Sequence, residues 1–140
     1  MKTMTKFTAI TLTVAFGLAV AASAEDAKPA TGLPPASTKT GVTYATDIKP
    51  ILDQSCAKCH SGEKPRAHLK LDTLEGALNG DKDGKVIIVG DSAKSQLVLA
   101  VAHAGDQDDW MPPLKAKDKF PPLTAEQVGL IRAWIDQGAK

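Results

Sequence analysis

The sequence predicts an all-α fold, a few small helices packed in one domain over residues 43–140. Three observations carry that prediction. Apolar residues recur at helical spacing in three segments, each opening at a capping side chain: Asp47, Asp91 and Thr124. The only strand-like run, Val86 to Val89, is too short and isolated to build a sheet. A chain of 140 residues has room for one domain of ordinary size once an N-terminal targeting segment is set aside.

That targeting segment occupies residues 1–24. Lys2 and Lys6 supply a positive start, Phe7 to Val20 an apolar stretch, and Ala22-Ser23-Ala24 a small-residue cleavage site. The apolar run has 14 residues, short of the roughly 20 that span a bilayer. Cleavage is therefore expected, with a mature protein beginning at Glu25. A lipoprotein anchor would need a cysteine at that new terminus, and the only cysteines are Cys56 and Cys59. No later segment is long and apolar enough to cross a membrane, so a periplasmic or equivalent oxidising location is expected. Of the 17 basic side chains, Lys2 and Lys6 leave with the signal, so 15 remain against 16 acidic ones and the formal charge becomes −1. Such a balance offers no electrostatic case for nucleic acid or an anionic membrane as partner.

Residues 25–42 are rich in Pro, Gly, Ala, Ser and Thr, with Leu33 the only large aliphatic residue before Val42. A flexible linker is expected there. Beyond it, Asp47 is the expected N-cap of a first helix, with Pro50 in its first turn and Ile48, Ile51 and Leu52 on one face. Thr73 to Leu78 has the makings of a turn or two of helix. Asp91 caps a segment in which Leu97, Val98, Val101 and Ala102 form an apolar stripe. The last helix carries a capping box, Thr124 with Gln127, a hydrophobic staple, Leu123 with Val128, and Gly138 as its stop. Leu130, Ile131, Trp134 and Ile135 line one side of it. Asp81-Lys82-Asp83-Gly84 lacks the spaced carboxylates of a calcium loop and reads as a solvated turn.

Both cysteines fall in one pentapeptide, Cys56-Ala57-Lys58-Cys59-His60, which has the C-x-x-C-H spacing of covalent haem attachment. On a helical turn, positions i, i+3 and i+4 share a face, so two thiols and an imidazole point at one object. The sulfurs would form thioethers to the porphyrin and His60 would reach its iron. The alternatives are a disulfide, a redox-active dithiol, and a zinc site completed by His68 or His103; a thioredoxin-like dithiol would need a surrounding sheet that the sequence lacks.

A second axial ligand has to come from elsewhere. With Met1 and Met4 in the signal, Met111 is the only thioether of the mature chain, and Pro112-Pro113 stiffens the loop that holds it. His/Met ligation is common for this cofactor. His103 and His68 are the competitors, and a bis-histidine iron would have a lower potential.

The ordered set Asp47-Ile48-Lys49-Pro50-Ile51-Leu52, C-x-x-C-H, Leu69-Lys70-Leu71-Asp72, Gly90-Asp91 with Ser95 and Leu97, Met111-Pro112-Pro113 and Leu130 to Gly138 resembles the single-haem cytochrome c domains of planctomycetes and other bacteria. The resemblance runs from about Tyr44 to Gly138. It implies a class I-like cytochrome c fold, small helices wrapped around one covalently attached haem, the N- and C-terminal helices crossing nearby. It also implies Cys56 and Cys59 as the thioether residues, His60 as proximal ligand and Met111 as distal ligand. One departure is Ala67-His68 before Leu69, where these domains often have two glycines.

These readings imply a periplasmic one-electron carrier, not an enzyme, expected as a monomer that meets redox partner proteins transiently. The alternatives are a haem-based sensor or small-ligand-binding protein, in which Met111 is displaced, and an electron-transfer subunit of a larger dehydrogenase.

Overall fold

A computed structural model describes residues 32–140. The expected signal segment, residues 1–24, and residues 25–31 of the expected linker lie outside them. Among the described residues the regular elements are helical: α1 (Lys49–Ser55), α2 (Leu74–Asn79), α3 (Gln96–Val101) and α4 (Ala125–Asp136), with 3-10 turns at Arg66–His68, Ser92–Lys94, Gln107–Asp109 and Leu114–Ala116. Extended backbone pairs only in an isolated bridge between Asp81 and Gly84. The all-helical expectation therefore holds for these residues. None of their helices is long and apolar enough to cross a membrane.

Side-chain caps decide where the helices start, and the first one starts earlier than the sequence suggests. Thr43, not Asp47, is the N-cap, and a π-type turn, Tyr44–Ile48, precedes α1. The cause is Pro50: without an N–H it interrupts the i→i−4 ladder, and the Lys49 N–H bonds five residues back to the Tyr44 carbonyl. Asp47 serves in the reverse direction, its carboxylate accepting from the Thr43 N–H at 3.0 Å. It also pairs with Lys39, and that ammonium first, then the Thr43 N–H, holds its carboxyl down to about 2. Thr73 caps α2 and Asp91 caps the Ser92–Lys94 turn that leads into α3. The capping box of α4 forms as expected, the Thr124 hydroxyl accepting from the Gln127 N–H at 3.2 Å and Gln127 Oε1 from the Thr124 N–H at 2.9 Å.

The apolar face of α4 is the floor of the core. Val128, Ile131, Trp134 and Ile135 are buried together with Tyr44, Ile48 and Leu52 from the N-terminal helical segment and with Val98 and Val101 from α3. Trp134 is fully buried, its ring 5.8 Å from that of Tyr44 and tilted by 46°. Both polar ends are satisfied. The Trp134 indole N–H donates to the Lys140 carbonyl at 3.0 Å, and the Tyr44 hydroxyl donates to the Leu71 carbonyl at 2.9 Å. Burial first, then the carboxylates of Asp53 and Asp72, push Tyr44 up to about 12, so it stays a neutral donor.

The expected flexible linker across 25–42 is corrected for residues 32–42, which lie as a strap along α4. Leu33 and Val42 are buried at 2% and 4% exposure. The Ser37 N–H donates to the Gly129 carbonyl at 2.8 Å. Gln137 takes both roles, accepting from the Val42 N–H at 3.2 Å and donating to the Lys39 carbonyl at 2.7 Å. Arg132 donates to the Pro34 carbonyl. Composition counted too few apolar residues for a core, but two anchors suffice when helix side chains satisfy the strap's backbone.

The strap passes so close to α4 that a Cβ on Gly129 would sit 2.7 Å from the Pro35 carbonyl oxygen. In an open helix Gly→Ala stabilises by up to about 1 kcal/mol. Here the sign should reverse: Gly129→Ala is expected to cost roughly 1–3 kcal/mol by overpacking. Urea unfolding of the two proteins measures it, and a stabilised variant would mean the strap does not lie on this helix face.

Candidate functional site

The site begins where α1 ends. Cys56 is the C-cap, at φ −125° and ψ −39°, and its N–H and that of Ala57 both donate to the Leu52 carbonyl, at 2.8 and 2.9 Å. The chain then winds through one more turn, in which the N–H groups of Cys59 and His60 both donate to the Cys56 carbonyl at 3.0 Å. That turn puts Cys56, Cys59 and His60 on one side.

What they face is a cavity of about 510 Å³, lined by all three and by Met111. Its wall is mostly apolar: Leu69, Leu71, Val86, Leu97, Ala100 and Val101, with Pro112, Pro113 and Phe120. The volume lies within the roughly 300–1,000 Å³ usual for organic ligands and cofactors. The four residues expected from sequence are thus brought together from two parts of the chain, the pentapeptide 56–60 and the loop at Met111. Leu69, Leu71 and Leu97 line the cavity, whereas Trp134 does not and serves the core. Val86, Ala100 and Phe120 were not foreseen: Val86 sat in a run that read as strand, and Phe120 follows a lysine-rich loop with no periodicity.

Both cysteines are free thiols. Cys56 is buried at 7% exposure, and burial first, then the neighbouring Cys59, pushes its thiol up to about 11. Cys59 is half-buried at the rim.

His60 Nδ1 lies 3.3 Å from the Leu69 carbonyl oxygen. A carbonyl only accepts, so Nδ1 carries the proton and Nε2 keeps a lone pair free for a metal. The loop that presents Leu69 is itself tied to the motif. The Arg66 N–H donates to the Cys59 carbonyl at 2.9 Å and the Leu71 N–H to the His60 carbonyl at 2.7 Å. To make this path the backbone turns left-handed twice, with φ 53° at Ala67 and 59° at His68. These are the two positions at which the resemblance led us to expect glycine, the residue that adopts a left-handed backbone without strain.

Met111 is tied back to α3, its N–H donating to the Ala100 carbonyl at 3.0 Å, and the residue, 37% exposed, lines the cavity. Neither competing histidine lines the cavity. His68 is exposed, and His103 donates through Nε2–H to the Pro112 carbonyl at 3.1 Å. The zinc alternative needed one of them beside the motif, and among the described residues no three His, Cys, Asp or Glu are grouped to hold a metal ion.

Beside Cys59 the surface opens into a cleft of about 390 Å³ lined by Lys58, Lys64, Arg66 and Lys119 with Phe120. The Lys58 ammonium sits 5.8 Å from the centre of the Phe120 ring. A local concentration of positive charge thus borders the cavity mouth.

Residues 56–115 match the family model described as planctomycete cytochrome C, a stretch that runs from the first cysteine to just past Met111. No curated protein and no solved structure matches the chain.

The two left-handed residues generate a stability test. Each costs about 1–2 kcal/mol relative to glycine, more than the roughly 0.4–1 kcal/mol that glycine loses through the freer unfolded chain. Ala67→Gly and His68→Gly should each raise stability by about 0.5–1 kcal/mol. Thermal unfolding decides it; a loss on both substitutions would contradict the loop path.

Proposed function

We propose that this chain, which carries a cytochrome c-like domain at residues 56–115, is an exported one-electron carrier with a class I-like fold around a single haem. Cys56 and Cys59 would hold that haem through thioethers, with His60 and Met111 as its axial ligands. The observation behind this reading is the one apolar cavity that gathers two thiols, an imidazole with Nε2 free and the thioether of Met111. The donor set fits the group: no other pair of sulfurs and no other histidine lines that cavity.

A haem bound there supplies iron that alternates between the ferric and ferrous states. The rest is the work of this chain's own residues. The Leu69 carbonyl fixes the tautomer and direction of the His60 ring and raises its basicity as a donor. Leu69, Leu71, Leu97 and Val101 exclude water, which together with a sulfur ligand favours a raised potential. With His60 and Met111 both holding the iron, a substrate would find no open position there, and no residue would have to act as acid, base or nucleophile. The cationic cleft beside Cys59 offers a small face on which a partner with acidic residues would dock transiently. Residues 1–24 would direct export to the periplasm, where covalent attachment keeps the cofactor from being lost.

Mass spectrometry of the exported protein, with a pyridine haemochrome spectrum after denaturation, tests the attachment: the expected mass is that of residues 25–140 plus one haem. The bare polypeptide mass with Cys56 joined to Cys59 would overturn it. The ferric protein should show the sulfur-to-iron charge-transfer band, and Met111→Ala should abolish it. A five-coordinate spectrum in the unaltered protein would favour the sensor.

A further inference from the structure

The end of α3 carries a side chain that neither the core nor the cavity uses. Two hydrogen bonds close this helix: the Ala104 N–H donates to the Leu99 carbonyl at 2.9 Å, and the His103 N–H to the Ala100 carbonyl at 3.2 Å. α4 closes with the same pair, Ala139 to Trp134 at 2.9 Å and Gly138 to Ile135 at 3.1 Å. Such a closure places one residue in the left-handed region, and glycine is usual there because a Cβ is crowded. In α4 that residue is Gly138, at φ 103°; in α3 it is His103, at φ 52°.

The strained histidine grips the loop on both sides of Met111. Its ring stacks on Trp110, with centroids 5.0 Å apart and planes 3° from parallel. Its Nε2–H donates to the Pro112 carbonyl at 3.1 Å. Met111 itself is tied through its N–H to Ala100, on the same helix. Neither His103 nor Trp110 lines the cavity, so the grip acts from behind the loop.

We propose that His103 is a positioning residue for Met111: by clamping Trp110 and Pro112 it keeps the thioether turned into the cavity and sets how readily an outside ligand takes its place. This rests on the reading of Met111 as the axial ligand. A thioether on an unclamped loop spends more time off the iron. The apparent affinity for a competing ligand rises with the fraction of molecules whose sixth position is free.

Imidazole titrated into the ferric holoprotein, followed by loss of the sulfur-to-iron band, reads that fraction. His103→Gly removes the ring and supplies the residue this helix end prefers, so the fold is kept while the clamp is lost. The loss of one hydrogen bond and one stacked pair should tighten imidazole binding about tenfold. His103→Phe, which retains a ring and lacks the donor, should fall between that variant and the unaltered protein. Thr124→Ala, which weakens the distant cap of α4, should leave imidazole affinity as it was. Unchanged affinity in His103→Gly would overturn the clamp alone, and so would equal tightening in Thr124→Ala, since the effect would then be general loosening. If the unaltered ferric protein lacks the band, the clamp falls together with the ligand assignment beneath it.

Discussion

The hydrogen bond between His60 Nδ1 and the Leu69 carbonyl, 3.3 Å long, is the constraint on which the arrangement of the site depends. A partner on one imidazole nitrogen fixes the tautomer and aims the other, and a backbone carbonyl is a partner that no rotamer change removes. To put that carbonyl in place the chain must double back between residues 60 and 71. It does so at the expense of two left-handed residues, Ala67 and His68, and secures the loop to the motif by two backbone bonds. The loop then delivers Leu69 and Leu71 as cavity wall in the same pass.

The remainder of the fold holds the two sides of this cavity at fixed separation. Cys56 and Cys59 hang from the end of α1, whose base is anchored through Tyr44 to Trp134 on α4 and to the Leu71 carbonyl. Met111 hangs from the end of α3, which packs on the same helix. α4 therefore contributes nothing to the lining yet fixes both supports, and the strap of residues 32–42 covers part of its outer side. A helix buried on several sides can do this because Gly129 lets the strap approach the backbone directly.

Charge is distributed with equal economy. A chain of formal net charge +1 gathers Lys58, Lys64, Arg66 and Lys119 around one cleft beside Cys59. Under the proposed function this is the face where an electron would pass between proteins, and local charge complementarity there acts on encounter rate more than on lasting affinity.

The amino-acid sequence by itself determined the helices and the chemistry of the motif, because both are encoded over a few residues. Capping at Thr124 with Gln127, the stripe from Leu97 to Val101 and the i, i+3, i+4 spacing of Cys56, Cys59 and His60 need no distant partner to be recognised. Elimination singled out Met111, the only methionine after residue 4, and it lines the cavity. Only the tertiary structure decided what joins residues far apart in the chain: Leu69 as the partner of His60, Phe120 and Val86 as cavity wall, Trp134 against Tyr44, and the strap in place of a flexible linker. Even the start of the first helix shifted, since Thr43 competes with Asp47 as a cap and Tyr44 is drawn inward by Trp134. Hydrogen bonds to backbone carbonyls carry no residue-type signature, and close approach of two segments depends on the packing of everything between them, so neither can be read from local pattern alone.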